Sequence, residues 1–179
     1  MSKPEKNITP SITIVIPTVG RTTLKKAKDS CGTLPVEVER DNLGTGAGPT
    51  RNRAIKRVKT DWVAFLDDDD QLTNLESLQG GISEDADCVI FRAQYPDGTL
   101  LPKVPVVEWG NVPISFAVKT SVAKEFPFVK GSNEFRQNED YLFVKTLEEN
   151  GKKIVFSPHV TYLVKPSSEA QESANKYHS

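Results

Sequence analysis

The sequence predicts an α/β domain: a single unit with a mixed, mostly parallel central sheet and helices on both faces. Three observations predict it. The chain opens on a β-branched run, Ile12-Thr13-Ile14-Val15-Ile16, which reads as a buried strand. Its first half then alternates strand, helix, strand, helix, strand, the pattern of a parallel sheet with crossover helices. The third strand runs directly into four carboxylates, Asp67-Asp68-Asp69-Asp70. In open α/β sheets, ligands bind beyond the carboxyl ends of the strands.

Each element has its own justification. Pro17 stops the first strand, and Thr22 to Ser30 follows as a helix with a threonine cap and lysines on its outer face. Val36 to Glu39 is a short second strand. Asn42 to Gly48 is a glycine-rich connection, and Pro49 starts a helix through Lys59, since proline is tolerated in the first turn. Asp61 to Leu66 is the third strand, with Trp62 in the core. In the second half, Asp87 to Gln94 is a strand and Pro96-Asp97-Gly98 a turn. Extended pieces follow at Thr99 to Val107 and Ile114 to Val118. Asn138 to Asn150 is a helix with Leu142, Phe143, Val144 and Leu147 on one side and Gly151 as its stop. Lys153 to Phe156 and Val160 to Val164 are late strands.

The 179 residues suffice for one sizeable core, and no repeat or linker divides them. Residues 1–10 read as an extension, 11–165 as the domain, and 166–179 as a polar, flexible tail in which Ser168 to Lys176 could form a short helix. The formal net charge of -1 gives no global field for nucleic acid or an anionic membrane. Cys31 and Cys88 have no metal-type spacing, so reduced thiols in a cytoplasmic protein are expected. No signal peptide or integral membrane segment is visible.

The acidic run carries the chemistry. Two like charges ~4 Å apart repel by about 1 kcal/mol in water and about 4 at an effective dielectric near 20. A hard divalent cation relieves this, and Mg²⁺ usually shares its shell with phosphates. Alternate residues of an extended loop point the same way, which pairs Asp67 with Asp69. A solvated acidic turn is the bland alternative. The strand in front of the run favours a metal–phosphate site.

Four segments in order resemble the GT-A fold glycosyltransferases, most closely the inverting family-two group. They are Ile12 to Arg21 (ITIVIPTVGR), Ala47 to Ile55 (AGPTRNRAI), Trp62 to Asp70 (WVAFLDDDD) and Asn138 to Ser157 (NEDYLFVKTLEENGKKIVFS). The resemblance covers roughly Ser11 to Lys165. It implies a GT-A (Rossmann-like) fold, a nucleotide-sugar donor with a UDP-sugar favoured, Mn²⁺ or Mg²⁺ at a DxD loop, and transfer to an acceptor hydroxyl with inversion. Carried over by residue, Pro17, Thr18, Arg21, Asp41, Arg51, Asp67 and Asp68 contact the donor. Asp69 is the direct metal ligand, with Asp67 near the metal or the ribose. Asp140 is the general base, and Glu139 is second choice. On the local pattern alone, capping and the helix macrodipole are the better explanation of Asn138-Glu139-Asp140, and the matching upstream segments reverse that in favour of catalysis. The resemblance places Trp109, Gly110 and Asn111 where the family binds acceptor; an indole face suits the apolar face of a sugar, and a core tryptophan beside a turn is the competing reading. Lys130-Gly131-Ser132-Asn133 is a polar loop that could close over the site.

The chain departs from the family in three places. A strand–helix excursion before the second helix is missing. The family's "VDDGS" is replaced by Val36-Glu37-Val38-Glu39-Arg40-Asp41, which leaves Asp41 or Glu39 for base recognition. At the place of the family's late metal histidine, alignment puts Lys165, while His159 lies a few residues earlier and could substitute as a metal ligand. Gly44-Thr45-Gly46-Ala47-Gly48 lacks the spacing of a nucleotide-binding glycine motif, because Pro49 stands at its end. Two other readings remain: a sugar nucleotidyltransferase, or a non-catalytic nucleotide-sugar- or Ca²⁺-binding module. The first wants its glycine loop directly after the first strand, where Pro17-Thr18-Val19-Gly20-Arg21 stands. The acceptor is open between glycan, protein, small molecule and modified nucleic acid.

Overall fold

A computed structural model describes residues 9–129 and 138–172. The elements run β1 (Ile12–Thr18), α1 (Leu24–Ser30), β2 (Val36–Arg40), α2 (Ala47–Ile55), β3 (Trp62–Phe65), β4 (Gln71–Leu72) and α3 (Leu75–Gly80). They continue with β5 (Cys88–Gln94), β6 (Leu100–Leu101), β7 (Phe116–Lys119), α4 (Thr120–Glu125), α5 (Glu139–Glu149) and β8 (Ile154–Leu163). One mixed sheet has the order β2-β1-β3-β7-β5-β8-β4, with β6 pairing to β5. Its longer ladders, β1–β2, β1–β3 and β5–β8, are parallel, and the shorter ones, β3–β7, β5–β7, β4–β8 and β5–β6, are antiparallel.

All seven residues of β1 and all four of β3 are buried, so both faces of the sheet centre are covered. This is why both strands read as continuous apolar runs rather than as alternating patterns. Phe65, Phe116, Phe128 and Phe143 form an aromatic cluster that seats α5 against the sheet, with the Phe128 and Phe143 rings stacked at 4.2 Å. Cys31 and Cys88 are free, buried thiols, and burial pushes both toward the neutral form.

The differences from expectation have local causes. β4, α3 and α4 have two, six and six residues, too few to show a period. The two late strands are one, β8, because Ser157, Pro158 and His159 bulge out between the Ile90–Phe156 and Arg92–Val160 pairs. Proline is tolerated at such a bulge. The piece expected over Thr99 to Val107 pairs only at β6. The second helix starts two residues before Pro49 and ends at Ile55, short of Lys59. Residues 168–172 are helical. The rest of that tail, most of the expected N-terminal extension, and the Lys130-Gly131-Ser132-Asn133 loop lie outside the described residues. No helix among the described residues is long and apolar enough to cross a membrane.

Candidate active site

The carboxyl ends of β1 and β3, the start of α2 and the start of α5 converge on one cleft of about 830 Å³. Pro17, Thr18, Arg21, Asp41, Arg51, the four aspartates, Gly110, Glu139, Asp140 and Lys165 all line it. The sequence-distant motifs are therefore brought together. The four aspartates do not share one task.

Asp68 is 1% exposed and firmly held. Thr18 Oγ1 and Arg21 Nη1 each donate to its carboxylate at 2.5 Å, and the Val19 amide adds a bond at 3.3 Å. It ties the acidic loop to the turn after β1. Asp70 is also internal. Tyr162 Oη donates to it at 2.6 Å and the Lys165 amide at 2.8 Å, while the Asp67 amide donates to the same Tyr162 oxygen at 3.0 Å. Burial and the neighbouring Asp67 and Asp69 hold the Asp70 carboxyl well above the usual range. Asp67 is more open and pairs with Arg51 Nη2 at 2.7 Å.

Asp69 differs from all three. It is 7% exposed, its nearest cation is Arg21 Nη1 at 3.8 Å, and no described residue donates a hydrogen bond to it. Burial and then Asp67 raise its pKa, while Arg21 and Lys165 pull it back. Among the described residues, no group of three or more His, Cys, Asp or Glu side chains forms a metal cage. A full cage is not required: Mg²⁺ is commonly held by one or two carboxylates plus substrate phosphates. A desolvated carboxylate that no described residue hydrogen-bonds, lining a cleft beside the more exposed Asp67, fits such an ion.

Arg51 organises the opposite wall. Its guanidinium is buried, 2% exposed, and sits 2.7 Å from Asp67, 3.2 Å from Asp140 and 3.9 Å from Glu139, over the Phe128 ring. From sequence it is expected at the donor phosphate. In this structure it lines the cleft and three carboxylates surround it, so it joins the acidic loop to α5. Glu139 and Asp140 separate clearly. Glu139 is buried and accepts the Gly48 amide at 2.8 Å, which latches α5 to the start of α2. A Cβ on Gly48 would come within 3.1 Å of that carboxylate. Asp140 keeps a side chain 28% exposed on the cleft. Desolvation, then Asp67 and Glu139, lift its pKa against the pull of Arg51 to about 7.

Other expected residues take structural tasks. Asp41 accepts the Thr45 and Gly46 amides at 3.0 and 2.8 Å, so it shapes the glycine loop while lining the cleft. Those bonds hold its carboxyl below the usual range despite partial burial. Glu39 is engaged by Arg53 and Arg57. Asn111, expected at the acceptor, is a strap here: its side chain accepts the Lys103 amide and donates both amide hydrogens to the Val104 and Val106 carbonyls. Trp109 is 58% exposed and packs edge-on to Tyr141 at 5.9 Å, beside the cleft rather than in its lining. His159 is exposed on the β8 bulge and does not reach the cleft, so it does not join Asp67 and Asp69. Lys165 stands in the lining instead. Tyr95 and Tyr162, which nothing in their local sequence marks, complete the walls.

The comparisons with known proteins bear on the fold and the family. The chain resembles residues 1–349 of S. aureus TarS in complex with UDP-GlcNAc, at TM-score 0.63 and 17% identity over 86% of this chain and 58% of that one. It resembles the mannosyltransferase PcManGT of Pyrobaculum calidifontis in complex with GDP-Man and Mn²⁺, at 0.63 and 12% over 90% and 59%. It also resembles glucosyl-3-phosphoglycerate synthase of Mycobacterium tuberculosis in complex with Mn²⁺, UDP-Glc and phosphoglyceric acid, at 0.58 and 17% over 85% and 71%. This chain thus spans 58% to 60% of TarS 1–349. Identities this low establish the fold, which is GT-A. No curated protein matches by sequence. The profile of glycosyl transferase family 2 matches residues 21–163, from the turn that carries Arg21 through β8, and the chain belongs to that family.

Proposed function

We propose that this chain transfers a glycosyl group from a nucleotide-sugar donor, a UDP-sugar favoured, to an acceptor hydroxyl, with inversion and with a divalent metal. One observation carries the reading: Asp140, a partly open carboxylate lifted to about 7, faces the same cleft as the under-satisfied Asp69. A base near neutral pKa is suited to take a hydroxyl proton at neutral pH.

The reaction is a single displacement. Asp140 accepts the acceptor's proton as that oxygen bonds to the anomeric carbon. The bond from that carbon to the phosphate oxygen breaks, and a nucleoside diphosphate leaves with the electron pair. Asp69 and Asp67 would hold Mn²⁺ or Mg²⁺, which when bound offsets the charge gathering on the leaving diphosphate. Asp68 keeps the acidic loop against Thr18 and Arg21, at the end of β1 where the donor would lie. Asp41 marks the nucleoside end beside β2. Gly110, with Trp109 and Tyr141 near it, leaves an open rim for the acceptor. Of the other readings, the nucleotidyltransferase lacks a glycine loop after β1, and the binding module gives Asp140 no task.

The test is release of nucleoside diphosphate from a panel of UDP- and GDP-sugars with Mn²⁺, with water or added glycans, alcohols and peptides as acceptors. The reading expects release with at least one donor and its loss in Asp140→Asn. Donor binding with no release under any acceptor would favour the binding module. Release of pyrophosphate from a nucleoside triphosphate and a sugar phosphate would favour the nucleotidyltransferase.

A further inference from the structure

The cations of the cleft are unequally committed. Arg51 is enclosed by Asp67, Asp140 and Glu139, and Arg21 is bound to Asp68. Lys165 also lines the cleft, yet among the described residues its ammonium has neither a hydrogen bond nor an ion pair. Its backbone is fixed. The amide donates to Asp70 at 2.8 Å, the carbonyl accepts from Gln171 at 3.2 Å, and φ is +42°. A non-glycine residue in this left-handed region is uncommon and often stands at a functional site. Here Asp70 holds it, and the side chain leaves from a defined point next to the acidic loop.

We propose that Lys165 is a donor-binding residue whose ammonium pairs with the distal phosphate of the nucleoside diphosphate, a direct protein contact beside the carboxylates. The inference rests on the nucleotide-sugar reading above and goes on to name the group that meets the leaving phosphate. Sheet order supports the distal end. Asp41 follows β2 at one sheet edge, and Lys165 follows β8 toward the other, with Asp67 to Asp70 between them. A nucleotide whose base lies near Asp41 runs its phosphates toward Lys165. A lysine ammonium is a compact cation with three donors and suits phosphate as a point charge.

Isothermal titration with UDP and UMP, and of the parent also with GDP, each with and without Mn²⁺, tests this on the full chain, on Lys165→Met and on Lys165→Arg. Methionine keeps the apolar stem and removes the charge, and arginine keeps the charge. Equal melting temperatures for parent and variants would establish that the fold is kept. Lys165→Met should bind UDP roughly 10- to 100-fold more weakly, the range for hydrogen bonds to charged groups. UMP should change by no more than about threefold, because Coulomb attraction falls with distance. Lys165→Arg should regain most of the UDP affinity. UDP affinity unchanged in Lys165→Met overturns the inference and leaves the nucleotide-sugar reading standing. Equal weakening for UDP and UMP overturns the distal assignment. If the parent binds neither UDP nor GDP, with or without Mn²⁺, both fail together.

Discussion

Asp140 shows how the environment of one carboxyl sets its chemistry. Burial, Asp67 and Glu139 disfavour its ionised form, Arg51 favours it, and the balance stands at about 7. Asp140→Asn preserves shape at the start of α5 but cannot take a proton. It should lower kcat by roughly 10²- to 10⁴-fold, the usual weight of a general base. UDP affinity should hardly move. In the parent, kcat/KM should fall as pH drops through about 7; a flat profile from pH 5 to 8 would remove Asp140 from the mechanism. The same shift has a stability consequence. A carboxyl whose folded pKa is raised binds its proton more tightly folded than unfolded, so stability falls as pH rises from about 4 to about 7. Asp140→Asn removes that loss, and its urea midpoint relative to the parent should rise between pH 4.5 and pH 7.5. A relative midpoint that falls over that interval contradicts the assignment. At this scale, the place of Asp69 and Asp140 on the cleft was legible because each stands in a local pattern, an acidic run after a strand and an acidic helix start. The roles of Arg51, Asn111 and His159 were not, since each depends on what the fold brings or fails to bring beside the side chain. In sequence Arg51 is one basic residue of a helix; only its burial among three carboxylates makes it a hub.

At the scale of elements, β8 governs the site more than its sequence suggests. Tyr162 near its end is fully buried, donates to Asp70 and accepts from the Asp67 amide, so one hydroxyl sets two positions of the acidic loop. Tyr162→Phe should leave the Asp67 amide and Asp70 without that partner and destabilise the protein by about 1–3 kcal/mol, the cost of unsatisfied buried polar groups. Urea unfolding would measure it, and a change under about 0.5 kcal/mol, the size of an ordinary surface substitution, would show that the hydroxyl does not hold the loop. β8 was misread as two strands because Pro158 looks like a break, and a bulge is invisible without its pairing partner. β1 and β3 were legible for the opposite reason: burial on both faces writes an uninterrupted apolar run. α5 was legible because Phe143, Val144 and Leu147 recur at helical spacing. α3 and α4, at six residues each, are shaped by the surfaces they pack on.

At the scale of the molecule, the order of elements, the sheet and the family match describe a GT-A domain, and the cleft collects residues from β1, α2, the loop after β3, α5 and the end of β8. No single segment carries the site. Four modest motifs in order were informative because the fold brings the ends of all four to one place. The central claim is that this cleft holds a nucleoside diphosphate through a divalent ion on Asp69. Ligand binding to the folded state raises stability by about 2.7 kcal/mol at a hundredfold excess over Kd. The most direct measurement is therefore the thermal shift of parent and Asp69→Ala with UDP and GDP, each with and without Mn²⁺. The account predicts that UDP with Mn²⁺ raises the parent's Tm well above either alone. It also predicts that Asp69→Ala folds with an unchanged or higher Tm in the absence of ligand and loses the Mn²⁺-dependent part of the shift. A variant that responds to UDP and Mn²⁺ as the parent does, or a parent that neither UDP nor GDP stabilises in the presence of Mn²⁺, would contradict it, whereas a shift with GDP and none with UDP would overturn only the preference for uridine.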